Sequence, residues 1–273
     1  MENKVLVETK DLTKEFPTKS GSFGKNRATV HAVTDVNLQI FEGETLGVVG
    51  ESGCGKSTLL SLLSGLNRAK EGEILVDGKA VRGPGPDRAV VFQQYSLFPW
   101  LTAKGNVMFA IRQSGRKYTR KERAKKAEEY LRSVELLAAR DKYPGQLSGG
   151  MKQRVAVARA LALESDVLLL DEPFAAIDPK LRLELQELVS TLCARRNKTV
   201  VFVTHDIDEA ILLADRIIVM EPGRIRTEVE VGLPHPRKRD ELIGTAAYEE
   251  LHRKLIAGFY AQVQENIDAE VAL

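Results

Sequence analysis

The segment Gly50-Glu51-Ser52-Gly53-Cys54-Gly55-Lys56-Ser57 meets every defined position of G-x-x-x-x-G-K-[ST]. Glycines at these places let a backbone curl until its N–H groups point inward at anionic oxygens. The apolar run Thr45–Val49 precedes the segment, and the helical pattern Ser57–Leu66 follows it. Strand, glycine turn and helix in that order open a parallel α/β unit. The helix aims its positive end at a phosphate, Lys56 reaches the β- and γ-phosphates, and the Ser57 hydroxyl binds Mg²⁺.

The rest of the chain supports an α/β fold interrupted by helices. Val5–Glu8 and Val36–Ile40 alternate apolar with polar and predict an antiparallel pair. Between them Pro17–Thr29 predicts a long exposed loop. Gly72–Val76 and Ala89–Phe92 predict strands on either side of the turn Gly83-Pro84-Gly85-Pro86. Helical periodicity then takes over from Leu101 to Leu163. Strand signals return at Val167–Leu170, Val200–Thr204 and Ile217–Met220, alternating with helices near Lys180–Arg195 and Asp208–Ala214. Gly232–Pro236 ends the pattern, and Arg237–Leu273 predicts a charged amphipathic helical tail. The expected divisions are 1–93, a β-subdomain with the first part of the nucleotide-binding core; 94–163, a helical insert; 164–232, the second part of the core; and 233–273, the tail.

Composition narrows the class. Forty Lys+Arg against 38 Asp+Glu is too balanced for a dedicated nucleic-acid binder. Apolar runs such as Ala210–Ala214 stop at five residues, and a membrane span needs about 18. The start, Met1-Glu2-Asn3-Lys4, lacks the apolar core of a signal peptide. Two cysteines, Cys54 and Cys193, make no disulfide framework, so a reducing compartment is expected. For Cys54 two readings stand side by side: loop N–H dipoles lower its thiol pKa, or it is a small inert filler of the loop. The basic stretch Arg112–Lys126 carries Glu122, with Glu128 and Glu129 just beyond, at helical spacing and reads as a solvated helix face.

Val167-Leu168-Leu169-Leu170-Asp171-Glu172 predicts a buried strand with two carboxylates at its C-terminal end, the edge where open α/β sheets bind ligands. Asp171 is placed for the Mg²⁺ shell and Glu172 as general base for an attacking water. Leu147-Ser148-Gly149-Gly150-Met151-Lys152-Gln153-Arg154 adds a second anion-binding helix end. This last segment resembles the signature motif of ATP-binding cassette (ABC) ATPases. The resemblance spans roughly residues 5–230 and implies a RecA-like phosphate-loop core, an N-terminal antiparallel β-subdomain and an inserted α-helical subdomain.

The resemblance also implies roles for single residues. ATP would be held by Phe16 (stacked on adenine) and by Gly50, Glu51, Ser52, Gly53, Cys54, Gly55, Lys56, Ser57 and Thr58. Gln93 matches the glutamine that senses Mg²⁺ and water, His205 the switch histidine at the γ-phosphate, and Asp178 the aspartate of the dimer interface. Ile177 is a mild departure there. Ser148, Gly149 and Gly150 would cap the ATP of an opposing subunit, so a second ATPase subunit, expected to be an identical copy, is a partner. With one cassette and no span, the importer arrangement is implied: two separate permease subunits, and a periplasmic or lipid-anchored solute-binding protein reached through them. The cassette would then sit peripherally on the cytoplasmic face of the inner membrane. Leu97, Phe98, Trp100 and Leu101 fit the permease-docking groove or the helical core. Phe98-Pro99-Trp100-Leu101-Thr102 and Leu233-Pro234-His235-Pro236-Arg237-Lys238-Arg239 resemble the branch importing nitrate, sulfonates, taurine and related anions, with a lean to sulfonate or taurine. The alternative is a non-transport ABC ATPase acting on nucleic acid or ribosomes.

Overall fold

A computed structural model describes residues 4–17, 29–175, 177–195 and 197–271. In chain order the strands and helices begin with β1 (Val5–Pro17), β2 (Thr29–Phe41), β3 (Thr45–Gly50), α1 (Lys56–Leu63), β4 (Glu71–Val76), β5 (Lys79–Ala80) and β6 (Arg88–Val91). Next come α2 (Ala103–Gln113), α3 (Arg120–Ser133), α4 (Gly149–Ala162), β7 (Val167–Asp171), α5 (Pro179–Arg195) and β8 (Thr199–Val203). The chain closes with α6 (Ile207–Leu213), β9 (Arg216–Glu221), β10 (Arg224–Glu230), α7 (Arg239–Leu242) and α8 (Ala246–Val271). These elements form two units: one runs up to Gly83 and resumes at Val203, and the other is Pro84–Phe202.

In the first unit β1 pairs antiparallel with β2 (Val7↔Ile40, Thr9↔Leu38) and with β4 (Val7↔Val76, Thr9↔Ile74). The expected four- and five-residue strands are in fact thirteen residues each. Alternation breaks near Asp11 and Asp35 because both take positive φ, 49° and 52°, at register shifts in the ladder. Side chains satisfy the freed backbone there. Asp11 N–H donates to Asn37 Oδ1 at 2.9 Å, and Asp35 N–H to Thr13 Oγ1 at 3.0 Å. Most of the loop expected over Pro17–Thr29 lies outside the described residues.

The same unit holds β3 parallel to β9, with β10 antiparallel along the outer edge of β9. β3 and β9 are buried almost throughout, as parallel strands covered on both faces must be. β10 was not foreseen: its sequence RIRTEVE is charged and half-buried to exposed, as edge strands are. Arg216 of β9 ties the two sheets of this unit, its Nη2 donating to Gln39 C=O of β2 at 2.5 Å. Arg216 grips Glu44 through Nε (2.6 Å) and Nη2 (3.0 Å), and Glu228 through Nη1 (2.7 Å). The tail packs here too, with Tyr248, Leu251 and Leu255 of α8 buried at helical spacing.

In the second unit β6 runs parallel to β7 (Arg88↔Val167, Val91↔Leu170), and β8 lies on the other side of β7. Three helices fill the stretch between β6 and β7. Thr102 caps α2, a Thr119–Glu122 capping box starts α3, and Ser148 caps α4. Asn106, fully buried, gathers the turn before α2. Its Nδ2 donates to the carbonyls of Phe98, Leu101 and Thr102, and its Oδ1 accepts from Phe98 N–H. No helix among the described residues is long and apolar enough to cross a membrane.

Candidate nucleotide site

In the first unit, the loop after β3 is built by close approach. A Cβ at Gly50 would stand 2.5 Å from the Met220 carbonyl oxygen, and one at Gly55 2.1 Å from that of Ala32, where φ is +113°. Only glycine fits either place. The loop is pinned from outside by Gly223 N–H, which donates to Cys54 C=O at 3.0 Å. Lys56, the first residue of α1, is buried. Its Nζ folds back across the loop and donates to the carbonyls of Gly50 (2.7 Å) and Glu51 (2.6 Å). The ammonium is thereby held over the loop mouth, while Ser52, Gly53 and Ser57 stay exposed and Glu51 and Thr58 half-buried. Leu59, Leu60, Leu62 and Leu63 bury the body of α1.

Of its two readings, Cys54 fits the inert filler. It is 3% exposed, and burial pushes its thiol pKa up, against smaller lowering contributions from Lys56 and from backbone N–H groups. The inward amides are present, but the sulfur sits beneath the loop.

His205 lies in the same unit. Thr204 N–H donates to Val48 C=O of β3 at 3.1 Å, so the residue before His205 is fixed to the strand that feeds the phosphate loop. Asp206 follows and caps α6, its Oδ1 accepting from Glu209 N–H at 3.1 Å. The His205 ring is exposed between these anchors. Phe16 is 37% exposed near the end of β1, with Lys14 Nζ 5.1 Å from its ring centre.

The second unit holds the remaining predicted residues. Asp171 ends β7 and Glu172 follows it with φ +43°, a costly conformation for a residue with a side chain. Gln93 Nε2 donates to Glu172 Oε2 at 3.1 Å, joining two residues 79 apart in sequence. Ser148 Oγ accepts from Met151 N–H at 3.4 Å, and Gly149 and Gly150 form the first turn of α4. Asp178 starts α5, its Oδ1 accepting from Leu181 N–H at 3.2 Å. Its neighbour Ala176 lies outside the described residues.

Sequence reasoning did not single out Arg159 on α4. Its guanidinium donates to the carbonyls of Ser96 (2.5 Å) and Tyr95 (3.1 Å) and lies 5.9 Å from the Phe98 ring centre. Tyr95 and Ser96 both take positive φ, 47° and 46°. Burial lowers the pKa of Arg159, and among the described residues no carboxylate pairs with it. The loop after Gln93 is therefore held in a strained shape by the helix that Ser148 begins. Phe98 in turn packs tilted against Trp100 (5.4 Å) and edge-on against Phe109 (4.7 Å); Trp100 is 70% exposed.

Known proteins share this arrangement. The model of the ABC transporter family matches residues 33–175. The nitrate transport protein NasD of Klebsiella oxytoca is 44% identical over 261 residues, covering 94% of this chain and 97% of that protein. The nitrate import ATP-binding protein NrtD of Synechococcus elongatus is 41% identical, covering 93% and 92%. The bicarbonate transport ATP-binding protein CmpC of the same species is 43% identical, and the alignment spans only 38% of its length. Among solved structures, a dimeric post-hydrolysis ATP-binding cassette bound to ADP and Pi superposes with a TM-score of 0.74 at 35% identity, covering 84% of this chain and all of that one. With a family model over more than half its length and a relative matched nearly end to end, the chain belongs to the ABC transporter family, as one of its ATP-binding cassettes.

Proposed function

We propose that this cassette hydrolyses ATP to drive uptake of a small anion through two separate permease subunits. The observation that supports hydrolysis is the Gln93–Glu172 hydrogen bond, which ties a carboxylate just past the end of β7 to a second polar side chain. The relatives named for nitrate and bicarbonate transport move the weight from sulfonates toward planar oxyanions.

Each unit brings its own residues to the reaction. The backbone from Gly50 to Thr58 and the Lys56 ammonium bind the phosphates, and Phe16 offers a face to the adenine. Ser57, Gln93 and Asp171 present hydroxyl, amide and carboxylate oxygens, a donor set suited to Mg²⁺, which when bound neutralises charge on the β- and γ-phosphates. Glu172 orients the attacking water and takes its proton, while His205 steadies the γ-phosphate oxygens. Ser148, Gly149 and Gly150 cap the ATP held by a second copy of the chain, with Asp178 at that interface. Catalysis is then positioning and charge neutralisation. The exposed cluster Phe98, Trp100 and Phe109 supports docking of the permease on 94–163, the helical subdomain. The complex places the cassette on the cytoplasmic face of the inner membrane, with a periplasmic or lipid-anchored binding protein delivering solute and no nucleic acid involved.

The test mixes two inactive proteins, Ser148→Arg and Lys56→Ala. Random pairing makes half the dimers mixed, each with one intact centre, so activity should return to roughly a quarter of the parental rate. Mixtures that stay dead, while each variant alone stays fully paired, overturn the shared-centre reading.

A further inference from the structure

The tail beginning at Leu233 grips one short helix by both ends. That helix, α6, has seven residues and follows His205 and its neighbour Asp206 directly. A helix this short does not hold itself in water; its geometry comes from what packs against it.

At its N-terminal end, Asp208 receives three groups from the tail. Arg239 Nη2 meets Asp208 Oδ2 at 3.0 Å, and the Tyr248 hydroxyl donates to Asp208 Oδ1. His252 Nε2 lies 3.5 Å from the same Oδ1, its ring stacked on that of Tyr248 at 5.9 Å. Tyr248 is 4% exposed, so its hydroxyl is buried on its acceptor rather than shared with water. At the C-terminal end, Arg237 Nη1 donates to the carbonyls of Ile211 (2.8 Å) and Ala214, acceptors that a helix end leaves open. Arg237 also donates twice to Leu233 C=O, at 3.1 and 2.7 Å, so the clamp closes on the tail itself. Burial holds its pKa down at about 10, and it stays charged at neutral pH.

The Thr204–Val48 hydrogen bond and the Asp206 cap fix where α6 begins, and the tail adds a second hold at each end of it. The tail residues that grip them lie 23 to 44 positions later in the chain. We propose that Arg237, Arg239 and Tyr248 are positioning residues for His205: by fixing the tilt of α6 they fix where the imidazole is presented. The inference rests on the reading of His205 as the γ-phosphate contact. It gives the tail a part in the rate of hydrolysis, and none in nucleotide affinity.

The test uses the full chain with MgATP. Tyr248→Phe keeps the ring and removes only the hydroxyl. A misplaced catalytic group can cost up to about a hundredfold, so a partial tilt should lower kcat about tenfold. KM for ATP should stay at the parental value. Arg239→Gln should do the same, and Arg239→Lys should recover most of the rate. The His205 ring resonance, followed by NMR, should move in Tyr248→Phe, while that of His31, on β2, stays in place. Unchanged kcat, or an unmoved His205 resonance, overturns the inference. So does an equal fall in kcat when Tyr248→Phe is added to His205→Ala, because the tail would then act elsewhere. Parental hydrolysis by His205→Ala alone has a different signature: it removes the switch role itself, and the inference falls with it.

Discussion

Gly53 and Gly55 lie two residues apart in the phosphate loop, and both take positive φ, +84° and +113°. Alanine at either position carries the strain of that backbone, about 1–3 kcal/mol. The surroundings differ. A Cβ at Gly53 meets nothing within 4 Å, whereas one at Gly55 stands 2.1 Å from the Ala32 carbonyl oxygen of β2. Relieving that overlap requires the loop to move by about 1 Å in a close-packed interior, a further cost of about 1–3 kcal/mol. One kcal/mol is worth about 2–4 °C in a chain of this size. Without nucleotide, Gly53→Ala should therefore melt about 2–12 °C below the parent, and Gly55→Ala about 2–12 °C lower still. Asparagine tolerates left-handed backbone, so Gly53→Asn should recover part of the loss and Gly55→Asn none. The assay is thermal unfolding by circular dichroism, with ATP hydrolysis alongside. A displacement of about 1 Å should reduce hydrolysis by Gly55→Ala about a hundredfold. If the two alanine variants melt within about 2 °C of each other, the steric argument is refuted.

The ion cluster at Arg216 and the thiol at Cys54 make two more predictions. Arg216→Met strands the buried Glu44 carboxylate and should cost about 3–5 kcal/mol, while Arg216→Met with Glu44→Leu should recover most of it; urea unfolding of both checks this, and equal losses refute it. Raising a thiol pKa lowers the thiolate fraction at any given pH, so Cys54 should alkylate more slowly than free glutathione at pH 7 and gain on it as pH rises. Mass spectrometry after iodoacetamide treatment reads the rate, and alkylation as fast as glutathione at pH 7 refutes the burial argument.

Much of the fold was legible because parallel strands buried on both faces must be apolar throughout. Val167–Leu170, Val200–Thr204 and Ile217–Met220 carry that signature; the first and last lie in observed strands, and the second runs one residue past the end of β8. The full length of β1 and β2 was not legible. It depends on aspartates at positive φ whose partners, Asn37 and Thr13, are matched across strands. β10 was missed because an edge strand needs only one packed face, and charge hides it. Within the site, Gln93 and Glu172 could each be named from sequence, but their hydrogen bond could not. Arg159 and Asp208 were invisible for a related reason. Their partners are backbone carbonyls or residues about 30 to 60 positions away, and neither leaves a local pattern. The sequence left Cys54 between a reactive thiol and an inert filler, because loop amides can be read from glycine spacing while the depth of a sulfur beneath them cannot.

The Arg159 clamp makes α4 a lever with its fulcrum inside the unit. Arg159 stands eleven residues along the helix from Ser148, roughly 16 Å at the rise of an α-helix. One guanidinium rivets that point to the carbonyls of Tyr95 and Ser96, beside the ring of Phe98. A push on the exposed Trp100 face that rocks the helix by ten degrees swings Ser148 by about 3 Å, a whole hydrogen-bond length. A movement too slight to disturb packing at one end is thus enough to make or break an anion contact at the other.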